Sequence, residues 1–259
     1  MSRPASRFGP YLFEMSLDRP RVPSFDEYPF NLPAVRTLST FAFHPKVTFF
    51  VGENGSGKST ILEAIAVAYG LNAEGGSRSF NFATQDSHSQ LSRYLRFSKQ
   101  AISPADAYFL RAESFYNVAS ELDRMDAAFP EFNIPKLLPS YGGKSLHEQS
   151  HGESFFSLFC NRFGPRGLYL LDEPEAALSP QRQLQFLVLL HDYCRQGCQF
   201  LITTHSPIIL AYPDAAIHVF GENGLVETPY EQTEHFRITR NFLANPARSL
   251  KELLSDDEP

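Results

Sequence analysis

Residues 46–60 read KVTFFVGENGSGKST, and the order of chemistry in that stretch decides the fold. KVTFFV is a near-continuous apolar, β-rich run, as expected of a parallel strand buried on both faces. It runs into GENGSGKS (52–59), which matches G-x-x-x-x-G-K-[ST]. ILEAIAVAYG follows, where Ile61, Leu62, Ile65 and Ala68 recur at helical spacing and Gly70 supplies a stop. Strand, glycine-rich turn and helix in this order form a phosphate cradle. Gly52, Gly55 and Gly57 let the backbone wrap a phosphate without side-chain collision. The amides and the helix N-terminus supply donors and positive potential. Lys58 would neutralise β- and γ-phosphate oxygens, and Ser59 would ligate Mg²⁺. The candidate nucleotide contacts therefore run through Gly52, Glu53, Asn54, Gly55, Ser56, Gly57, Lys58, Ser59 and Thr60.

Two further strand ends carry matching chemistry. GLYLLDEP (167–174) is an apolar run ending in Asp172-Glu173. One carboxylate there would hold the metal (Asp172) and the next would orient or deprotonate an attacking water (Glu173). Alone, a strand ending in Asp-Glu is commonplace; beside a phosphate loop it becomes half of a hydrolytic site. QFLITTHSP (199–207) presents His205 at a third strand end, where it would face the γ-phosphate. A lone histidine in that position is otherwise a structural hydrogen-bonder.

Outward from these motifs, strands alternate with helices, which implies an α/β domain with a mostly parallel sheet covered by helices. The 259 residues, 42% hydrophobic and 20% charged, suit a single domain with a substantial core. The N-terminal segment holds strand-like pieces, YLFEMSL and VRTLSTFAF, giving an antiparallel β part. The pattern predicts a helix over 87–99, a core strand in DAYFLRA (106–112) and a helix in ESFYNVASELDRM. Residues 127–149 are irregular, with Pro130, Pro135, Pro139 and Gly142-Gly143. Further on, the pattern predicts a helix over 180–196 and a hairpin turning at Glu222-Asn223-Gly224. Two more helices are expected around 231–244 and 247–254. The expected organisation is a core lobe of about 1–75 and 165–259, with a helical lobe over about 76–164.

A net charge of −6 gives no general attraction to nucleic acid or anionic membrane. Arg93, Arg96 and Lys99 around Tyr94 form a local basic group, which also reads as a solvated helix face. Cys160, Cys194 and Cys198 make no CxxC ligand pattern, and an odd, sparse set reads as reduced thiols. Cys194 and Cys198 flank Gly197 at an expected helix end, as packing residues. The N-terminus lacks the apolar core of a secretion signal. No run approaches the roughly 20 apolar residues of a membrane span. The expectation is a cytoplasmic protein with no membrane insertion.

Residues 150–153, SHGE, precede the apolar run FFSLFC. Ser150 with Glu153 three residues later is a capping box. The order GENGSGKST, SHGE, LLDEPEAALS and TTHS, however, resembles the ATP-binding-cassette superfamily of P-loop ATPases over most of residues 40–220. The variants SHGE and DEPEAALS are similar to its RecF/SMC-like branch and to stand-alone bacterial ATPases, as is TEHFRITRNFLANPARSLKELL. No sustained heptads separate the phosphate loop from SHGE, so the chain reads as a head without coiled-coil arms.

The resemblance implies ATP with Mg²⁺, and a helical signature lobe. It also implies an ATP-dependent head-to-tail homodimer in which Ser150 and Gly152 contact the nucleotide held by the partner. Glu173, His205 and Lys58 would be catalytic, and Ser59 and Asp172 would hold the metal. Two departures stand out. Ser179 replaces an aspartate expected after the Asp-Glu strand, and the metal-sensing glutamine has no clear equivalent among Gln85, Arg111 and Glu113. Three functions compete: an ATP-driven switch acting on DNA or a partner protein in repair or anti-phage defence, a transporter's nucleotide-binding subunit, and a regulatory module that holds ATP without turnover. The SHGE variant disfavours the second, and intact Lys58, Asp172, Glu173 and His205 disfavour the third.

Overall fold

The computed structural model describes residues 10–77, 89–112 and 151–255, with the backbone alone for 151–155. Ten strands in the described residues form two sheets. β1 (Leu12–Leu17), β2 (Thr40–Ala42) and β5 (Leu95–Lys99) make an antiparallel sheet in the order β2-β1-β5. The main sheet runs β10-β9-β3-β8-β7-β6-β4. Its strands are β3 (Val47–Val51), β4 (Gly76–Ser77), β6 (Asp106–Arg111), β7 (Gly167–Asp172), β8 (Gln199–Thr203), β9 (Ala215–Gly221) and β10 (Gly224–Glu227). Neighbours from β9 through β6 pair in parallel; β10 and β4 close the edges antiparallel.

Side-chain alternation along the central strands feeds two cores. Phe49, Leu171, Tyr169, Ile202 and Phe200 point to one face, where α3 (His151–Asn161), α4 (Pro180–Arg195) and α5 (Pro207–Leu210) pack. Phe50, Leu168, Leu170 and Leu201 point to the other, under α2 (Lys58–Tyr69), α1 (Pro33–Arg36) and the antiparallel sheet. Burial on both faces explains why VTFFV and GLYLL show no polar–apolar alternation. α2 is sandwiched between its sheet and the N-terminal strands, burying Ile61, Leu62, Ala64, Ile65, Ala66 and Tyr69. Gly70, left-handed at φ 91°, ends it and returns its amide to Ala66 and Val67.

The expected helix over 87–99 is corrected: after a short 3-10 turn (Gln90–Tyr94), residues 95–99 are strand β5, paired to β1. Leu91 and Leu95 have helical spacing, but cross-strand pairing of Leu95 with Leu17 and Phe97 with Met15 buries more. The basic group thus lies on this turn and strand. Arg96 is bound to Asp18, and the Lys99 ammonium sits 4.7 Å over the Tyr69 ring. β5 and β6 lie within the stretch expected as a helical lobe, yet pair with β1 and β7. The expected helix in 113–125 and the irregular 127–149 lie outside the described residues. α6 (Glu234–Ala244) and α7 (Pro246–Leu254) close the described chain. No helix among the described residues is long and apolar enough to cross a membrane.

Candidate functional site

Because β3, β8 and β7 are adjacent and parallel, their carboxyl ends open on one edge of the sheet, where open α/β sheets bind ligands. β3 delivers the glycine-rich loop there. Gly57 caps α2 at φ 98°, a left-handed conformation that side chains resist. At Gly52 a Cβ would come within 2.9 Å of Phe220, so the loop start is pressed against β9. Lys58 is buried, and its ammonium donates to the carbonyls of Gly52 and Glu53, both at 2.8 Å. Burial lowers its pKa from the usual lysine range, while Glu173, Asp172 and Glu175 pull the other way. Thr60 shares a 2.9 Å contact with the Tyr28 hydroxyl.

β7 ends on Asp172, whose Oδ1 accepts from Ser59 Oγ at 3.0 Å and from Thr203 Oγ1 at 2.6 Å. One carboxylate oxygen therefore joins the loop helix to two strand ends. Arg111, at the end of β6 and in register with Asp172, places Nε 3.5 Å from Asp172 Oδ2 and pairs with Glu63 of α2 at 2.8 Å. Of the three residues considered for the metal-sensing position, Arg111 is thus in the site; Gln85 and Glu113 lie outside the described residues.

Glu173 follows in a left-handed conformation (φ 50°, ψ 55°), one of two non-glycine residues with positive φ among the described residues. That geometry costs about 1–2 kcal/mol. It is held by its amide, which donates to both the carbonyl and the hydroxyl of Thr203. His205 Nε2 lies 3.5 Å from Glu173 Oε1. On its other side, His205 Nδ1 meets His235 Nε2 at 3.1 Å. The His205 amide donates to Glu175, a buried carboxyl whose pKa is raised by burial and moderated by that hydrogen bond. Burial and then the charge of Lys58 lower the His205 pKa; burial, His205 and Lys58 do the same to His235.

The loop edge opens into a cavity of about 750 Å³, lined by Gly52, Glu53, Asn54, Glu173, His205 and His235 among others. The donor set suits a magnesium nucleotide. Ser59 and Asp172 offer hard oxygens, and Ser56 Oγ is buried in the loop with no partner among the described residues. Among the described residues no group of three or more His, Cys, Asp or Glu is arranged to hold a metal ion by itself. A metal that keeps water and phosphate ligands needs none.

Gly152 lies in the first turn of α3, and Ser150, directly before that helix, lies outside the described residues. Ser179 caps α4, accepting from the Arg182 amide. Thr203, Glu175 and His235 belong to the site but escaped sequence reading. All three sit inside quoted stretches, TTHS, DEPEAALS and TEHFRITRNFLANPARSLKELL, but no role was read for any of them.

Two stretches match family models: residues 31–120 match an AAA domain, and residues 155–211 match one described as "AAA domain, putative AbiEii toxin, Type IV TA system". No curated protein matches the chain. Among solved structures it is similar to the SMC head domain from Thermotoga maritima, at 17% identity and a TM-score of 0.44, covering 85% of this chain and 99% of that one. It is also similar to a nucleotide-free ATP-binding cassette from an ABC transporter, at 19% identity and a TM-score of 0.44, covering 81% and 90%.

Proposed function

We propose that this chain, two stretches of which match AAA domain models and whose motif order resembles the ATP-binding-cassette superfamily, is a switch that binds and hydrolyses ATP and closes as a head-to-tail homodimer. One observation carries the reading: Ser59, Asp172, Thr203 and Glu173 form a single hydrogen-bonded chain across the ends of three elements. Such a chain sets a metal-binding pair and a general base at fixed separation before any ligand arrives.

Lys58, now donating to two loop carbonyls, would turn its charge onto the phosphates as they enter. Mg²⁺, held by Ser59 and Asp172, would offset phosphate charge. Glu173 would accept a proton from the attacking water; its carboxylate lies 3.5 Å from His205 Nε2. His205 would donate to the γ-phosphate end of the cavity. Gly152, in the first turn of α3, and Ser150 would complete the partner's site. The motif resemblance to the RecF/SMC-like branch and to stand-alone bacterial ATPases supports DNA or a protein as the object of the motion. DNA binding would have to come from a local surface, since the net charge is −6.

The test is Glu173→Gln. Hydrolysis should slow by about two to four orders of magnitude, the scale of a lost general base, while ATP binding persists and an ATP-dependent dimer accumulates in light scattering. A Glu173→Gln protein that hydrolyses at the wild-type rate, or stays monomeric at saturating ATP and Mg²⁺, overturns the reading.

A further inference from the structure

We propose that His235 is a positioning residue: its Nε2–H donates to His205 Nδ1 and so holds His205 in the tautomer whose Nε2–H faces Glu173. The inference rests on the hydrolytic reading above for its consequence, and on geometry alone for the pairing itself.

The two rings lie with centroids 5.3 Å apart and facing nitrogens 3.1 Å apart. Between two neutral imidazoles a bond of that length holds one proton, so one ring donates and the other accepts. The surroundings choose which. If His205 Nδ1 were the donor, its Nε2 would turn a bare lone pair toward Glu173 Oε1, 3.5 Å away. That nitrogen is buried, with no hydrogen-bond partner among the described residues, so nothing else would offset the repulsion. With His205 Nδ1 accepting, the same nitrogen carries the proton and the carboxylate attracts it. A histidine's tautomer is set by the bond its other nitrogen makes, and here that bond comes from His235.

Burial first, and then the Lys58 charge, lower the pKa of both rings, with His205 adding to the shift of His235. Lys58 disfavours a proton on either ring, and Glu173 and Glu175 on one side, with Glu234 on the other, are the facing acids. Doubly protonated rings would present two N–H groups to each other and lose the bond.

His235 is also well placed to be tested without unfolding its surroundings. It sits in the first turn of α6, whose cap, Thr233, is buried, accepts from the Phe236 amide and donates to the Tyr230 carbonyl. Tyr230 in turn donates to the Pro207 carbonyl at 2.8 Å, just beyond His205. The two segments are therefore tied by a bond that does not involve His235.

The experiment uses the full chain with side-chain ¹⁵N-labelled histidine and two variants, His235→Leu and His235→Gln. Glutamine retains an amide donor; leucine removes it and keeps bulk. Wild-type protein above neutral pH should show His205 as a single Nε2–H tautomer. In His235→Leu only the Glu173 carboxylate, 3.5 Å away, still selects the tautomer. The single Nε2–H signature should therefore give way to a mixture, and kcat should fall about ten- to a hundredfold, the scale on which an orienting partner of a histidine acts, with KM for ATP nearly unchanged. His235→Gln should keep both. An unchanged His205 tautomer in His235→Leu overturns the proposal, and so do equal losses in the two variants, which would mean packing alone. A tautomer change in His235→Leu beside a wild-type chain that hydrolyses no ATP supports the pairing and removes only the hydrolytic reading.

Discussion

The two edges of the main sheet are built from the same strands and treat their polar groups in opposite ways. At the amino ends, Gln199 is fully buried and spends its whole amide: it accepts from the Tyr11 and Leu12 amides and donates to the Leu12 and His44 carbonyls. Nearby, Arg162 grips Asp106 with both guanidinium arms, and Tyr169 accepts from the Gly164 amide. At the carboxyl ends, Ser56 Oγ, Glu175 Oε2 and His205 Nε2 are buried without partners among the described residues, and Glu173 holds a strained backbone. Buried polar groups are normally satisfied. The amino edge is closed but for Gln100 Oε1, buried there without a hydrogen-bond partner among the described residues. A satisfied edge marks where the chain is fastened, and an unsatisfied one where it meets something else.

That contrast can be broken at either edge. The largest effect is expected at the open one. Lys58→Ala should abolish turnover and weaken ATP binding about a hundredfold, in line with losing a charged hydrogen-bond partner. Unchanged ATP hydrolysis would sink the phosphate-loop assignment. At the closed edge, Gln199→Leu should leave four backbone groups unpaired and cost about 3 kcal/mol of stability, read by urea unfolding. Its turnover per folded molecule should match wild type; a large loss there would mean that the edges are not separable.

The smallest effect is one of pH. Burial lowers the pKa of His44, His205, His218 and His235. The unfolded chain then binds more protons than the folded one, so stability is complete above the ordinary histidine pKa and drains away as pH falls through the lowered values. Glu175, shifted upward, works the other way, and its burial cost is relieved as pH drops through its own raised pKa. Melting temperature should decline from pH 7.5 to 5.5. A flat profile would show that these rings are solvated in solution.

How much of this was legible beforehand divides along physical lines. The three strand ends were readable because strands buried on both faces are unbroken apolar runs, and a polar residue just past such a run has a specific reason to be there. The helix limits also came close: Pro180–Arg195 against an expected 180–196, and α6 and α7 against 231–244 and 247–254. β5 misled because Leu91 and Leu95 fit a helical period, and only its partner β1, far away in sequence, settles the outcome. His235 was invisible for a related reason. Its role is a contact with a ring thirty residues away across a hairpin, and no local pattern encodes that meeting. Glu175 was hidden in plain view: it reads as a helix-favouring residue in PEAAL, and only the fold reveals that its carboxyl is turned inward to the His205 amide.

The three cysteines offer a practical handle. Cys194 and Cys198 are buried, and burial pushes their thiols up to about 12 and about 11 respectively, so both remain protonated and shielded near neutral pH. Cys160 is exposed near the end of α3, the helix that begins at His151. A maleimide dye added under mild conditions would therefore mark one chosen helix of the natural sequence, with no cysteine added or removed. Fluorescence from that single label could follow, in real time, whether α3 approaches a second molecule when nucleotide is supplied.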